Sequence, residues 1–172
     1  MERVMHVTVV TAVLLSVGIL NAVSAQSHTE ELQSLCDDIG NVSCSEGWTR
    51  VDVQHCAKYF QTPKSFDDAQ EHCNSTDSVL VAFNTPEEMM KASCVTLHDN
   101  PDLDSFLIGV IRSAEKSMDD DGFDLEFDPW YPGQTDDDGG EVNCVVMNPE
   151  DWGLWKDDDC EDQQHFMCIQ IM

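Results

Sequence analysis

Basic residues are scarce in this chain: eight Lys and Arg stand against 34 Asp and Glu in 172 residues, a formal net charge of −26. So few cations cannot neutralise a run of phosphates, which excludes a nucleic acid partner. Long apolar runs are also missing beyond the first 25 residues, so no later segment approaches the roughly 20 residues that a membrane-spanning helix needs. Neither C-x-x-C nor H-E-x-x-H occurs, and these are spacings by which zinc is commonly held. Nor does a catalytic constellation stand out. His55, His72, His98 and His165 have no motif partner and read as surface or capping residues. Carboxylates are so abundant that any two could be paired on paper as acid and base, which empties the signal for glycosidase chemistry. A binding protein is expected, not an enzyme.

What is present begins with a leader. Met1-Glu2-Arg3 carries a basic residue, the run from Val9 to Leu20 is mostly apolar, and Val23-Ser24-Ala25 offers small residues for cleavage. Residues 1–25 therefore read as a signal peptide, leaving a secreted product without a transmembrane anchor that starts at Gln26. About 147 residues remain, the size of one domain. Eight cysteines in an exported chain of that size suit four disulfides. Asn41-Val42-Ser43 and Asn74-Ser75-Thr76 are glycosylation acceptors, so Asn41 and Asn74 are expected to carry glycans.

Residues 26–43 are polar, with scattered apolar positions, and form a lead-in to a domain over 44–172. Trp48, Val51, Val53 and Cys56 predict a short strand or hairpin closed by a nearby disulfide. Ser65-Phe66-Asp67-Asp68 supplies an N-cap and acidic first turn for a helix ending near Asn74. Leu80 to Phe83 reads as a brief buried strand. Thr85-Pro86-Glu87-Glu88 then gives an N-cap, a proline at the first helical position and a capping-box glutamate, predicting a second helix to about His98. The continuous apolar run Phe106 to Val110 predicts a central strand buried on both faces. From Arg112 to Gly140 the Asp, Gly, Ser and Pro clusters suit a long loop pinned by Phe123, Phe127, Trp130 and Tyr131. Val142 to Met147 and Gln164 to Ile171 read as closing strands, with Trp152, Trp155 and Cys160 between them. The class is α+β.

Cys44 to Trp48, Cys56, Cys73, Leu80-Val81, Ile108-Gly109, Trp130, Cys144, Trp155, Asp157, Cys160 and Cys168 together resemble the C-type lectin-like domain, from Cys44 to the end of the chain. The resemblance implies a disulfide-stapled fold of two helices against small antiparallel sheets with a long loop. It also implies the pairs Cys44 with Cys56, Cys73 with Cys168, and Cys144 with Cys160, each closed loop contributing about 2–4 kcal/mol. Cys36 and Cys94 are left over. They either clamp the lead-in to the second helix or leave Cys36 to link two copies as a disulfide-bonded dimer.

Sugar-binding members hold Ca²⁺ through Glu-Pro-Asn or Gln-Pro-Asp in the long loop, a later Glu, and the Asn-Asp of Trp-Asn-Asp. Here Gln134-Thr135-Asp136 stands at the galactose-type position and Trp155-Lys156-Asp157 at the other. Gln134, Asp136, Asp157 and, by a one-residue slip past Val142, Glu141 are the candidate calcium-site residues, with Asp136 and Asp157 as the metal-ligand candidates. Thr135 lacks the proline whose cis bond the family uses, a shape that costs another residue about 2.5–4 kcal/mol. Lys156 puts an ammonium where the family has a ligand oxygen, so Ca²⁺ is expected to bind weakly or not at all. Lys156 is then a tethered cation, expected to pair with Asp136 or Asp157. Asp119-Asp120-Asp121-Gly122 with Asp128 partly imitates an EF-hand loop, although Ser117 occupies its first ligand position. Asp136 to Asp138 and Asp157 to Asp159 are expected side by side as a loose cation patch.

The sequence thus predicts a secreted C-type lectin-like protein of innate immunity or other extracellular recognition, taking a glycan or extracellular protein ligand. Its carboxylates motivate two alternatives: a matrix protein that meets calcium on a mineral surface, and an antagonist that grips a basic protein. Between Ser117 and Asp162 stand 17 carboxylates and a single basic residue, Lys156.

Overall fold

The computed structural model describes residues 47–100, 104–113, 116–119, 122–133 and 142–172, together with Glu30, Ser34, Cys36, Cys44, Ser45 and Asp102. Contacts divide the chain into residues 1–35 and a compact unit, 36–172, that carries every element below. Its strands are β1 (Thr49–Arg50), β2 (His55–Lys64), β3 (Val79–Leu80), β4 (Phe106–Ser113), β5 (Lys116–Asp119), β6 (Val142–Asn148), β7 (Leu154–Asp158) and β8 (Gln164–Ile171). Its helices are α1 (Phe66–Asn74) and α2 (Pro86–Asp99), with a 3₁₀ turn at Pro149–Asp151.

Both helices start where the capping residues predict. The Ser65 hydroxyl accepts the Asp68 N–H, and the Thr85 hydroxyl accepts the Glu88 N–H at 3.2 Å. The Glu88 carboxylate reaches back to the N–H of Asn84, one residue before the cap itself. The strands depart further from the sequence pattern. β2 does not stop at Cys56 but runs to Lys64, because the far-off β8 pairs with it from His55↔Ile171 to Lys64↔Gln164. The strand expected at Leu80 to Phe83 is only Val79–Leu80, and the long loop after Arg112 contains β5, hairpinned onto β4. Trp155 is no linker residue between the closing strands but lies in β7, paired with β6.

The sheet order is β1-β2-β8-β4-β6-β7, with β3 on β8 and β5 on β4. It is mixed, because β4 and β8 run parallel through Phe106↔His165 and Leu107↔Phe166 while the other pairs are antiparallel. The α+β fold is thereby established, and β4 is its centre. Phe106, Ile108 and Val110 face one apolar cluster with Val95 of α2, whereas Leu107 faces a second with Phe66, Ala69 and Cys73 of α1. Burial on both faces explains the unbroken apolar run, each large side chain contributing about 1.5–3 kcal/mol.

All eight cysteines pair: Cys36–Cys94, Cys44–Cys56, Cys73–Cys168 and Cys144–Cys160. Cys36 is bonded within the chain and is not available to bridge two copies. Cys73–Cys168 ties α1 to β8, and Cys144–Cys160 ties β6 to the turn that follows β7. No described helix is long and apolar enough to cross a membrane.

Candidate functional site: the β6–β7 hairpin

Of the expected calcium-site residues only Asp157 is described, and it lies with Lys156 on β7, paired with β6. The hairpin turns through Asn148-Pro149-Glu150-Asp151, where the Asn148 amide oxygen accepts the Glu150 N–H and its NH₂ donates to Asp151 at 2.8 Å. Trp152 and Gly153 complete the turn at positive φ, 60° and 80°, and the Gly153 N–H donates to the Asn148 carbonyl. The strands then pair as Val146↔Lys156 and Val145↔Asp157.

An aromatic clamp fixes the start of β7. The Trp155 N–H donates to the Pro129 carbonyl at 2.9 Å, and the Tyr131 N–H donates to the Trp155 carbonyl at 2.8 Å. Trp155 is fully buried, edge-on to Trp130 and Phe127 with centroids at 5.9 and 6.2 Å. Its indole N–H finds no acceptor among the described residues. The Arg112 guanidinium, buried at the other side, lies 4.9 Å from the Trp130 ring centroid. Such contacts are favourable by about 0.5–2 kcal/mol when partly desolvated.

Lys156 places its charge at this rim, and of its two expected partners Asp136 lies outside the described residues while Asp157 is not the one it meets. Its ammonium lies 3.4 Å from the Asp151 carboxylate and 4.8 Å from the Tyr131 ring centroid. It does not pair with Asp157, because successive side chains of a strand leave opposite faces and the folded-back turn offers Asp151 instead. Asp157 is met by the Asn143 amide at 3.4 Å. Lys156 and Asp151 are both about one-third exposed, so their ion pair contributes at most about 1 kcal/mol and acts mainly to place charge.

Gln134, Asp136 and Glu141 lie outside the described residues, as do Asn41 and Asp137 to Asp138. Among the described residues no three His, Cys, Asp or Glu side chains converge as a metal cluster. Ca²⁺ requires about six to eight oxygen ligands, and an ammonium has no lone pair to give. Of the expected ligand set the described residues hold only Asp157, which the Asn143 amide meets, next in sequence to Lys156, whose ammonium cannot coordinate a cation. Of the partial EF-hand, Asp120 and Asp121 lie outside the described residues. Asp119 ends β5, its carbonyl accepts the Gly122 N–H and its carboxylate accepts the Phe123 N–H.

Sequence reasoning gave no site role to Asp151, Asn143 or Arg112, and saw Tyr131 only as a residue pinning the loop. The Asn-Pro-Glu-Asp string was a usable signal, since an Asn cap before proline announces a helical turn. The histidines have structural partners. His55 pairs with Asp52 at 2.8 Å, His98 meets Asp99 at the end of α2, and the His165 Nδ1 lies 2.6 Å from the Tyr59 hydroxyl. Burial pushes the Tyr59 phenol up to about 12 against a lowering hydrogen bond from Asn100, so it stays protonated at neutral pH. Asn74 is the exposed last residue of α1.

The fold is shared with known proteins. The chain belongs to the C-type lectin domain family, whose profile (Lectin C-type domain) matches residues 62–170. It is 36% identical over 133 residues to the C-type isolectin Sp-CL4 of Scorpaena plumieri, covering 77% of this chain and 92% of that one. Among solved structures it resembles the human scavenger receptor C-type lectin carbohydrate-recognition domain, with 27% identity, a TM-score of 0.64 and coverage of 76% and 100%. Human lithostathine shares the fold at 21% identity, with a TM-score of 0.68 and coverage of 76% and 92%.

Proposed function

We propose that the protein is a secreted, non-enzymatic lectin-like binder that recognises a carbohydrate or another extracellular ligand with weakened or absent dependence on Ca²⁺. One observation carries the reading: the Lys156 ammonium is held by Asp151 and Tyr131, in the string that the family resemblance sets against Trp-Asn-Asp. Kinship with an isolectin and a carbohydrate-recognition domain supports the ligand class. Four disulfides favour an oxidising extracellular setting, as does the apolar leader. A glycan array run in Ca²⁺ and again in chelator tests it. Binding that survives chelation is expected, and chelator-sensitive galactose binding contradicts the reading.

The exposed carboxylates Glu150, Asp159, Glu161 and Asp162 favour a second reading, in which this acidic rim meets calcium on a mineral surface or the cations of a basic protein. Adsorption to calcium carbonate beside a variant with these four neutralised separates it from the first. Equal adsorption by both removes it.

A further inference from the structure

A second concavity lies away from the β6–β7 hairpin. It has a volume of about 300 Å³, within the size range of small-ligand sites, and its lining shares no residue with the hairpin or the aromatic clamp. Its wall is apolar: Ala57 of β2, Ala92 of α2, Val81 and Met167 are buried, and the half-buried Val51 and Ile169 flank them. The alanines make the room, since they sit where a larger side chain would otherwise fill the gap between α2 and the strands.

Val79, Asn84 and Ile171 are the exposed residues of the lining, and Asp52, His55, Glu88, Lys91 and Asp119 are part-exposed. The His55 imidazole is bonded to the Asp52 carboxylate, and the Lys91 ammonium is paired with Glu87 at 2.8 Å, so the basic groups of the lining already have carboxylate partners. Glu88 and Asp119 remain. Each accepts a backbone N–H, from Asn84 and from Phe123, and neither enters an ion pair among the described residues. An apolar slot with two uncompensated carboxylates at its entrance, in a chain of net charge −26, is complementary to an apolar chain that ends in a cation.

We propose that this cavity binds a small cationic amphiphile, an alkylammonium-type ligand whose apolar chain lies on the part-exposed Val51, Ala82 and Ile169, over the buried Ala57, Ala92 and Met167, and whose nitrogen head meets Glu88 and Asp119. The experiment titrates octylammonium, octanol and octanoate, kept below micelle formation, into the intact protein. Calorimetry is followed together with the methyl NMR signals of Met167 and Ile169. Tetramethylammonium, a head without a chain, reports binding to the acidic surface alone.

Octylammonium is expected to saturate one site, shift both methyl signals and bind roughly tenfold more tightly than octanol, with octanoate weaker still. In the double variant Glu88→Gln with Asp119→Asn, octylammonium falls to the level of octanol. Ala92→Leu removes binding of all three. Ala82→Leu, at a half-buried lining position, does the same if the first variant fails to fold. Equal affinity for the three chains overturns the proposal, as does the absence of saturable binding. Octylammonium binding that matches tetramethylammonium and leaves the Met167 methyl unmoved overturns it too.

Discussion

Gly109 shows how a single residue can be fixed by a neighbour far away in sequence. A Cβ there would lie 2.7 Å from the Leu80 carbonyl oxygen and 3.0 Å from its Cβ, while the Gly109 N–H donates to the Val81 carbonyl at 2.7 Å. Backbone, not a flexible side chain, fills that space. Gly109→Ala should therefore lower stability by about 1–3 kcal/mol, measured by urea unfolding, and a neutral result would mean that β3 gives way easily. His72 offers a titration test. Burial holds its imidazole below the ordinary value, helped by the nearby charges of Lys64 and Lys58, and the ring packs edge-on against Phe60 and Phe166. A depressed histidine contributes stability above its unfolded value of about 6.5, which is lost as the pH falls through the folded value. Acidification should thus cost the wild type more than His72→Phe, read as the change in the gap between their unfolding midpoints. A gap independent of pH contradicts this. In the sequence the Lys156 intrusion was visible, because it breaks a three-residue motif, but its partner was not. Asp151 reaches it only through the hairpin turn.

At the scale of elements, what was legible was local. Both helices could be read because Ser65, Thr85 and Pro86 announce their first turns within four residues. Removing the Thr85 hydroxyl by Thr85→Ala should cost about 1 kcal/mol, visible in thermal unfolding, with no change expected in the disulfide pattern. The strands were harder because their reasons are non-local. β2 contains Lys58, Gln61, Pro63 and Lys64 and has no clean alternation, yet pairing with β8 more than a hundred residues later extends it. β7 ends in Lys156-Asp157-Asp158, poor strand formers, and is held by β6 on one side and by Pro129 and Tyr131 on the other. Such tertiary override of local preference cannot be seen in a short window of sequence. The cysteine and tryptophan spacing carried the fold instead, since it records contacts between distant elements.

For the whole molecule, charge and staples oppose each other. A net charge of −26 repels itself in the compact state, and four disulfides restrict the chain that would otherwise expand. Raising the ionic strength from about 0.01 M to about 0.15 M shortens the screening length from about 30 Å to about 8 Å, so Tm should rise with sodium chloride. A Tm that does not respond would show that the carboxylates are already compensated. The same excess charge ought to attract divalent ions loosely, which makes affinity, not mere presence of binding, the quantity that bears on Lys156. The most direct measurement is calorimetric titration of Ca²⁺ into the wild type and into Lys156→Asn. Binding no tighter than about 1 mM in the wild type, strengthened at least about tenfold by the substitution, is what the proposed function predicts. Tight wild-type binding that Lys156→Asn leaves unchanged would contradict it.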